Sequence, residues 1–257
     1  MANFVLPTQK TPPVAISPKE LIIYSKPKTG KTSALAMLDN ALIIDLEEGT
    51  DYVEALKVKC SSVEEIRELC REIIKAKKPY KYIVLDTVTK LEDMVLPYAK
   101  ELYRKTAMGK NFDYETVREN GKDVQKDKNS QTVLHLPNGA GYQYLREALF
   151  EVLSWIRRCA DRIVLLGHLK MKSIEKNGTE VEAKDLDLTG KIKSILSADV
   201  DAIGLLYRDD NKCILSFKTT DDVICGARPD HLKNQEIVLT EIIDGKLTHH
   251  WDKVYLD

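Results

Sequence analysis

From residue 19 onward, short apolar runs alternate with helical patterns. The runs cover 21–24, 41–46, 82–86, 163–168, 202–207 and 213–217. Most are apolar at every position rather than at every second one, as strands buried on both faces should be. Between the second and third runs, residues 62–77 read as an amphipathic helix. Val63, Ile66, Leu69, Cys70, Ile73 and Ile74 make one stripe, and Ser62 with Glu65 forms a capping box at its start. A second helix is predicted over 142–158, with Leu145, Leu149, Val152, Leu153 and Ile156 facing inward. Strands alternating with helices predict an α/β fold on a mostly parallel central sheet. Towards the C-terminus, 237–243 and 246–251 flank Asp244-Gly245, a strong two-residue hairpin signal.

Three stretches break this rhythm. Residues 1–18 carry Pro7, Pro12, Pro13 and Pro18 without periodicity and read as an extended arm, with Phe4, Val5 and Leu6 as its apolar tip. The remainder, 19–257, reads as one domain. Within it, 104–140 is polar and without a strong period, either a mobile loop or a small insertion. Residues 169–192 are also polar and hold or adjoin Lys170, Lys172, Lys176, Lys184, Lys191 and Lys193.

Composition narrows the class. Of 257 residues, 43% are apolar and 31% charged, enough for a full core, and the net charge of −1 excludes a polycation that coats nucleic acid indiscriminately. Any such contact needs a local basic patch. No apolar run approaches a bilayer span, and the N-terminus lacks a signal-peptide core. The five cysteines are scattered, with no Cys-x-x-Cys pair, which points to a reducing cytoplasm rather than to zinc or disulfides.

The chemistry gathers at 25–33. Ser25, Lys26, Pro27, Lys28, Thr29, Gly30, Lys31, Thr32 and Ser33 lie between the first strand and a helix-forming run, 34–38. Strand, tight loop and helix with Gly-Lys-Thr at the helix start is the layout of a P-loop. Its backbone N–H groups cradle phosphates, Lys31 reaches the β- and γ-phosphates, and the Thr32 hydroxyl ligates Mg²⁺. Ser25 stands where the pattern has Gly. A nucleotide site on a parallel sheet draws its other groups from the C-terminal ends of strands. The chain offers one polar group at each. Asp86 closes 82–86, placed to support Mg²⁺ or to cap the next helix. Glu47 or Glu48 follows 41–46, placed to polarise water or to form a solvated turn. His168 closes 163–168, as a functional or a structural histidine.

In order and spacing these pieces resemble the RecA-type recombinase core over about residues 19–225. Ile44-Asp45-Leu46-Glu47 is similar to the segment with that family's water-activating Glu, which puts the role on Glu47. Leu85-Asp86-Thr87 resembles its Walker B strand. Leu166-Gly167-His168 resembles the strand end with the γ-phosphate sensor, here His168 in place of Gln. The basic stretch Lys170, Lys172 and Lys176 resembles the second DNA loop, and Tyr142 follows the position of the first. Lys218, after 213–217, resembles the lysine that contacts a neighbouring subunit's nucleotide. In length and in its Lys-Pro-Lys-Thr-Gly-Lys-Thr loop the chain most resembles phage nucleotide-binding proteins, reduced RecA-like ATPases associated with single-strand annealing. The resemblance implies an ATPase with ATP and Mg²⁺ bound, acting on single-stranded DNA. It also implies head-to-tail assembly, with a single-strand-binding protein as a further candidate partner and no membrane partner. A small-molecule kinase and a nucleotide switch acting through protein partners are the competing classes.

Overall fold

The computed structural model describes residues 6, 8–119, 121–128, 131–176 and 179–256. Phe4 and Val5 of the arm's tip lie outside them. The elements are β1 (Glu20–Ser25), α1 (Lys31–Ala36), β2 (Ala41–Asp45), β3 (Leu56–Lys59), α2 (Val63–Lys75), β4 (Tyr82–Asp86), α3 (Val88–Met94), α4 (Leu96–Arg104), β5 (Tyr114–Glu119), β6 (Lys122–Asp127), α5 (Gly141–Ile156), β7 (Arg162–Lys176), β8 (Thr179–Leu186), α6 (Gly190–Asp199), β9 (Ala202–Asp209), β10 (Lys212–Ser216), β11 (Gly226–Ala227), β12 (Glu236–Ile243) and β13 (Lys246–His249). The fold is α/β. One sheet runs β13-β12-β10-β9-β1-β7-β4-β2-β3, parallel from β9 to β3 and antiparallel from β9 to β13.

β1 is the middle strand of this order, between β7 and β9, so both its edges are paired. Its side chains alternate between two cores. Ile22 and Tyr24 enter a layer with α2, α3, α4 and α5, and Leu21 and Ile23 enter a layer with α1 and the C-terminal residues Trp251, Val254 and Tyr255. Burial on both faces is why these strands read as unbroken apolar runs. Trp251 locks the second layer to α1 by donating from Nε1 to the Ala34 carbonyl at 2.8 Å.

The helix starts behave as their sequences suggest. The Ser62 hydroxyl accepts the Glu65 N–H at 3.2 Å, although the Glu65 carboxylate returns to the Ser61 N–H rather than to Ser62. The β12–β13 hairpin closes through Asp244 (φ 50°) and Gly245 (φ 75°), both left-handed as a two-residue turn of this kind requires. The arm is held at its base, where the Ser17 hydroxyl accepts the Leu256 N–H, while Val14 and Ile16 stand exposed.

The polar stretches hold strands of their own. Residues 169–176 and 179–186 are strands: β7 runs on past the sheet and pairs antiparallel with β8, a two-stranded ribbon from Leu169↔Leu186 to Lys176↔Thr179, with α6 beyond it. The 104–140 stretch contains a hairpin, β5–β6, paired in its own two-stranded sheet. Asp113 anchors it to α4 through Lys100 (2.5 Å) and Arg104 (3.2 Å). Edge strand β3, with Leu56 and Val58 partly exposed, was not visible in the apolar pattern.

Candidate nucleotide site

The loop leaving β1 turns twice through left-handed backbone, at Lys28 (φ 61°) and Gly30 (φ 106°), before α1 begins at Lys31. Glycine meets that need at position 30 without strain. The first N–H groups of α1 have no partner within the helix, which leaves them for a ligand. Ser25, in place of the usual Gly, is buried. Its hydroxyl donates to the Lys26 carbonyl at 2.8 Å and accepts from Lys31 Nζ at 3.1 Å. Lys31 is therefore not exposed, as an empty loop suggests, but 7% exposed and folded back on the loop. Burial lowers its pKa, with Asp86 and Glu47 opposing that shift.

The strand ends converge on this loop. Thr32 donates its hydroxyl to Asp86 Oδ2 at 2.8 Å, joining α1 to the end of β4. Asp86 does not cap the following helix: the Thr87 hydroxyl does, accepting the Lys90 N–H at 3.1 Å. Burial raises the Asp86 pKa, and Glu47 and Asp45 add to the rise against the Thr32 bond and Lys31. Glu47 reaches in from the turn after β2. Its Oε1 accepts the Thr87 hydroxyl at 2.7 Å and lies 2.8 Å from His168 Nε2. His168 ends the in-sheet part of β7, level with Ser25. Its N–H donates to Thr89 Oγ1 at 3.0 Å, and its Nδ1 is buried without a partner. Glu48 adopts φ 58° and does not line the cleft, whereas Glu47 does.

Asp45 was missed as a site residue. It is 1% exposed and receives four hydrogen bonds, from the N–H groups of Glu47 (2.9 Å), Gly49 (3.3 Å) and Thr50 (3.0 Å) and from the Thr50 hydroxyl (2.6 Å). Burial alone would raise its pKa, but these bonds outweigh it and the net shift is downward. Asp45 thus fixes the turn that presents Glu47. The signal was the cluster of carboxylates at the end of the apolar run, Asp45, Glu47 and Glu48, of which Asp45 turns inward. Lys31, Thr32, Glu47, Asp86 and His168 line a cleft of about 380 Å³, with Tyr52 fully exposed at its rim.

Residues 17–229 match the AAA domain family. The chain belongs to the AAA domain family. No curated protein matches it. Solved structures similar to this AAA-domain chain include the RadB recombinase, at 12% identity over 91% of this chain and 92% of that one, with a TM-score of 0.47. Another is a KaiC-like protein of the archaeon Pyrococcus horikoshii, at 11% identity over 90% and 89%, with a TM-score of 0.43.

The donor set of this AAA domain suits Mg²⁺. The ion favours one or two protein oxygens completed by phosphate and water, and Thr32 and Asp86 put a hydroxyl and a carboxylate side by side. Among the described residues no three acidic, histidine or cysteine side chains form a metal cage.

The remaining candidates lie elsewhere. Lys170 pairs with Asp187 at 2.9 Å, and Lys172 pairs with Asp185 at 3.1 Å. Asp185 is shared with Lys193. Lys176 ends β7, and its side chain lies outside the described part. The ribbon is thus not the open basic loop that its lysines suggest. Tyr142 stands half-exposed in the first turn of α5. Lys218 is outside the cleft and pairs with Glu236. No helix among the described residues is long and apolar enough to cross a membrane.

Proposed function

We propose that this chain is a Mg²⁺-dependent ATPase of RecA-like type, converting ATP and water to ADP and phosphate, and that it acts on single-stranded DNA in recombination or annealing. One observation carries the reading. Lys31, Thr32, Glu47, Asp86 and His168, from four different elements and the loops after them, line one cleft around a P-loop. In the proposed reaction Lys31 leaves Ser25 for the phosphates. Thr32 and Asp86 hold Mg²⁺, which when bound offsets phosphate charge. Glu47, held by Thr87 and His168, accepts the proton of the attacking water. His168 touches both Glu47 and the cleft, so a γ-phosphate that draws its Nε2 away would release the Glu47 carboxylate. That links occupancy to activation through a single hydrogen bond.

Head-to-tail assembly, with Lys218 reaching a neighbour, and kinship with phage nucleotide-binding proteins belong to the same proposal. ATP turnover measured with and without single-stranded DNA tests it. Turnover stimulated by the strand is expected. Phosphate transfer to a small acceptor, without release of free phosphate, would point to a kinase. Tight ATP binding with no turnover under either condition would point to a switch.

A further inference from the structure

Two sets of cations lie near the C-terminal ends of the strands, and they are held differently. On the ribbon, Lys170, Lys172 and Lys193 already face Asp187 and Asp185. Such a cation must give up its carboxylate before it can neutralise anything else. Beside the P-loop lies a second hollow, a groove of about 410 Å³ over the ends of β1 and β9. Lys26 and Lys28 from the loop, Lys184 from β8 and Arg208 from β9 line it. None of the four forms an ion pair with a carboxylate among the described residues. Its lining also includes Leu205 and Tyr207. Arg208 reaches the loop itself, with Nη2 3.5 Å from the Thr29 carbonyl.

We infer that this groove, rather than the ribbon, holds the backbone of a single-stranded nucleic acid. Like charges gathered without counter-charges repel one another, and a chain of phosphates relieves several at once. A lone small anion would relieve one or two and leave the apolar lining unused. A tyrosine such as Tyr207 beside a cationic track suits unpaired bases, which offer their faces, whereas a duplex keeps them stacked inside. Pro27 and Lys28 line both the groove and the cleft, so the P-loop is their common wall. A strand seated in the groove therefore presses on the loop that holds the nucleotide. This inference rests on the reading of the chain as a strand-dependent ATPase and names where the strand sits.

The test uses the full chain and a fluorescent oligothymidylate, with binding followed by anisotropy over a series of salt concentrations. A double variant, Lys184→Ala with Arg208→Ala, should bind at least tenfold more weakly than wild type. Its log affinity against log salt should be flatter by about 1.4, at about 0.7 per cation removed from a single-strand contact. The ribbon pair, Lys170→Ala with Lys172→Ala, should stay within threefold of wild type. Arg208→Lys, which keeps the charge, should recover most of the Arg208→Ala loss. Thermal unfolding of each variant checks the fold. The reverse order, with loss in the ribbon pair and not in the groove pair, overturns the groove and leaves the strand-dependent ATPase standing. ATP turnover in a wild-type chain that binds no oligonucleotide overturns the groove together with the DNA part of the function. Binding through the groove without any ATP turnover upholds the groove and sinks the ATPase. Equal binding of a polyglutamate peptide would overturn the commitment to nucleic acid.

Discussion

The P-loop has two sides, and they satisfy their charges in opposite ways. In and around the cleft polar side chains are handed to neighbours: Lys31 to Ser25, Thr32 to Asp86, Glu47 to Thr87 and His168, Asp45 to its own turn. In the groove Lys26, Lys28, Lys184 and Arg208 meet no carboxylate among the described residues. The first arrangement places each group beforehand, so a substrate has only to exchange partners over short distances. The second is unsatisfied until an anion arrives, so its occupancy should follow salt concentration steeply. The lysine count of a segment therefore says little about its partner. What matters is how many of those lysines are already spoken for.

The sharpest way to break the contrast is at Glu47. Glu47→Gln keeps the shape and removes the proposed proton acceptor, and turnover should fall about 10²–10⁴-fold while nucleotide affinity holds. Glu48→Gln, at a residue outside the cleft lining, should leave turnover within about twofold of wild type. If the two results are exchanged, the preorganised carboxylate is the wrong one. Next comes Lys31→Ala. It removes a charge-assisted phosphate contact of about 1.5–3 kcal/mol, which is roughly one to two orders of magnitude in ATP affinity. Because Lys31 is a buried cation in the folded chain, the variant should unfold no earlier than wild type. Titration calorimetry with a thermal melt reads both. Unchanged affinity would remove the P-loop from the site.

How legible this was depended on burial. The strands β1, β2, β4 and β9 lie in the middle of a sheet covered on both sides, so their apolar runs announce them, and a polar residue ending such a run is conspicuous. Asp86 and His168 could be found for that reason. β3 sits at the edge with Leu56 and Val58 half in solvent, and the β7–β8 ribbon lies beyond the sheet, so neither carries that signature. The burial of Lys31 was not legible because it depends on a fold-back set by the left-handed turns at Lys28 and Gly30 and by the Ser25 hydroxyl. Asp45 went unnoticed because its role consists of backbone contacts within its own turn. The groove was invisible because its cations come from three distant segments. Only β1, β9 and the returning strand β8, brought together, turn them into one surface.

Asp45 tests how much of the cleft's order resides in a single carboxylate. Asp45→Asn keeps one acceptor oxygen and turns an amide towards donors, so about 1–3 kcal/mol of stability should be lost as buried N–H groups go unpaired. The pH dependence follows from the lowered pKa of Asp45 in the fold. A depressed carboxylate contributes stability above its unfolded value, near 3.8, and loses it as pH falls through the folded value. Wild type should therefore lose stability on acidification in that range, and the gap between wild type and Asp45→Asn should narrow there. Urea midpoints at neutral and acid pH measure this. A gap that stays constant into acid would mean that the turn is held by something other than the charge.

The smallest effect is expected at Lys218, the paired cation that controls for the unpaired ones. Its side chain is half-exposed and bound to Glu236. Exposed pairs of this kind contribute about 0–1 kcal/mol and weaken further in salt. If that ion pair is its whole role, Lys218→Ala should lower stability by less than about 1 kcal/mol and leave oligonucleotide affinity unchanged. Turnover should then also be independent of the variant at every protein concentration. The assembly part of the proposed function expects otherwise. A lysine that completes a neighbour's site must first release Glu236, and its loss should appear only where protomers meet. Turnover of Lys218→Ala would then match wild type at high dilution and fall behind it as the protein is concentrated. Glu236→Gln, which frees the lysine without removing it, should shift turnover the other way in the concentrated protein. Flat concentration dependence in both variants would leave Lys218 a surface ion pair with no part in a shared site.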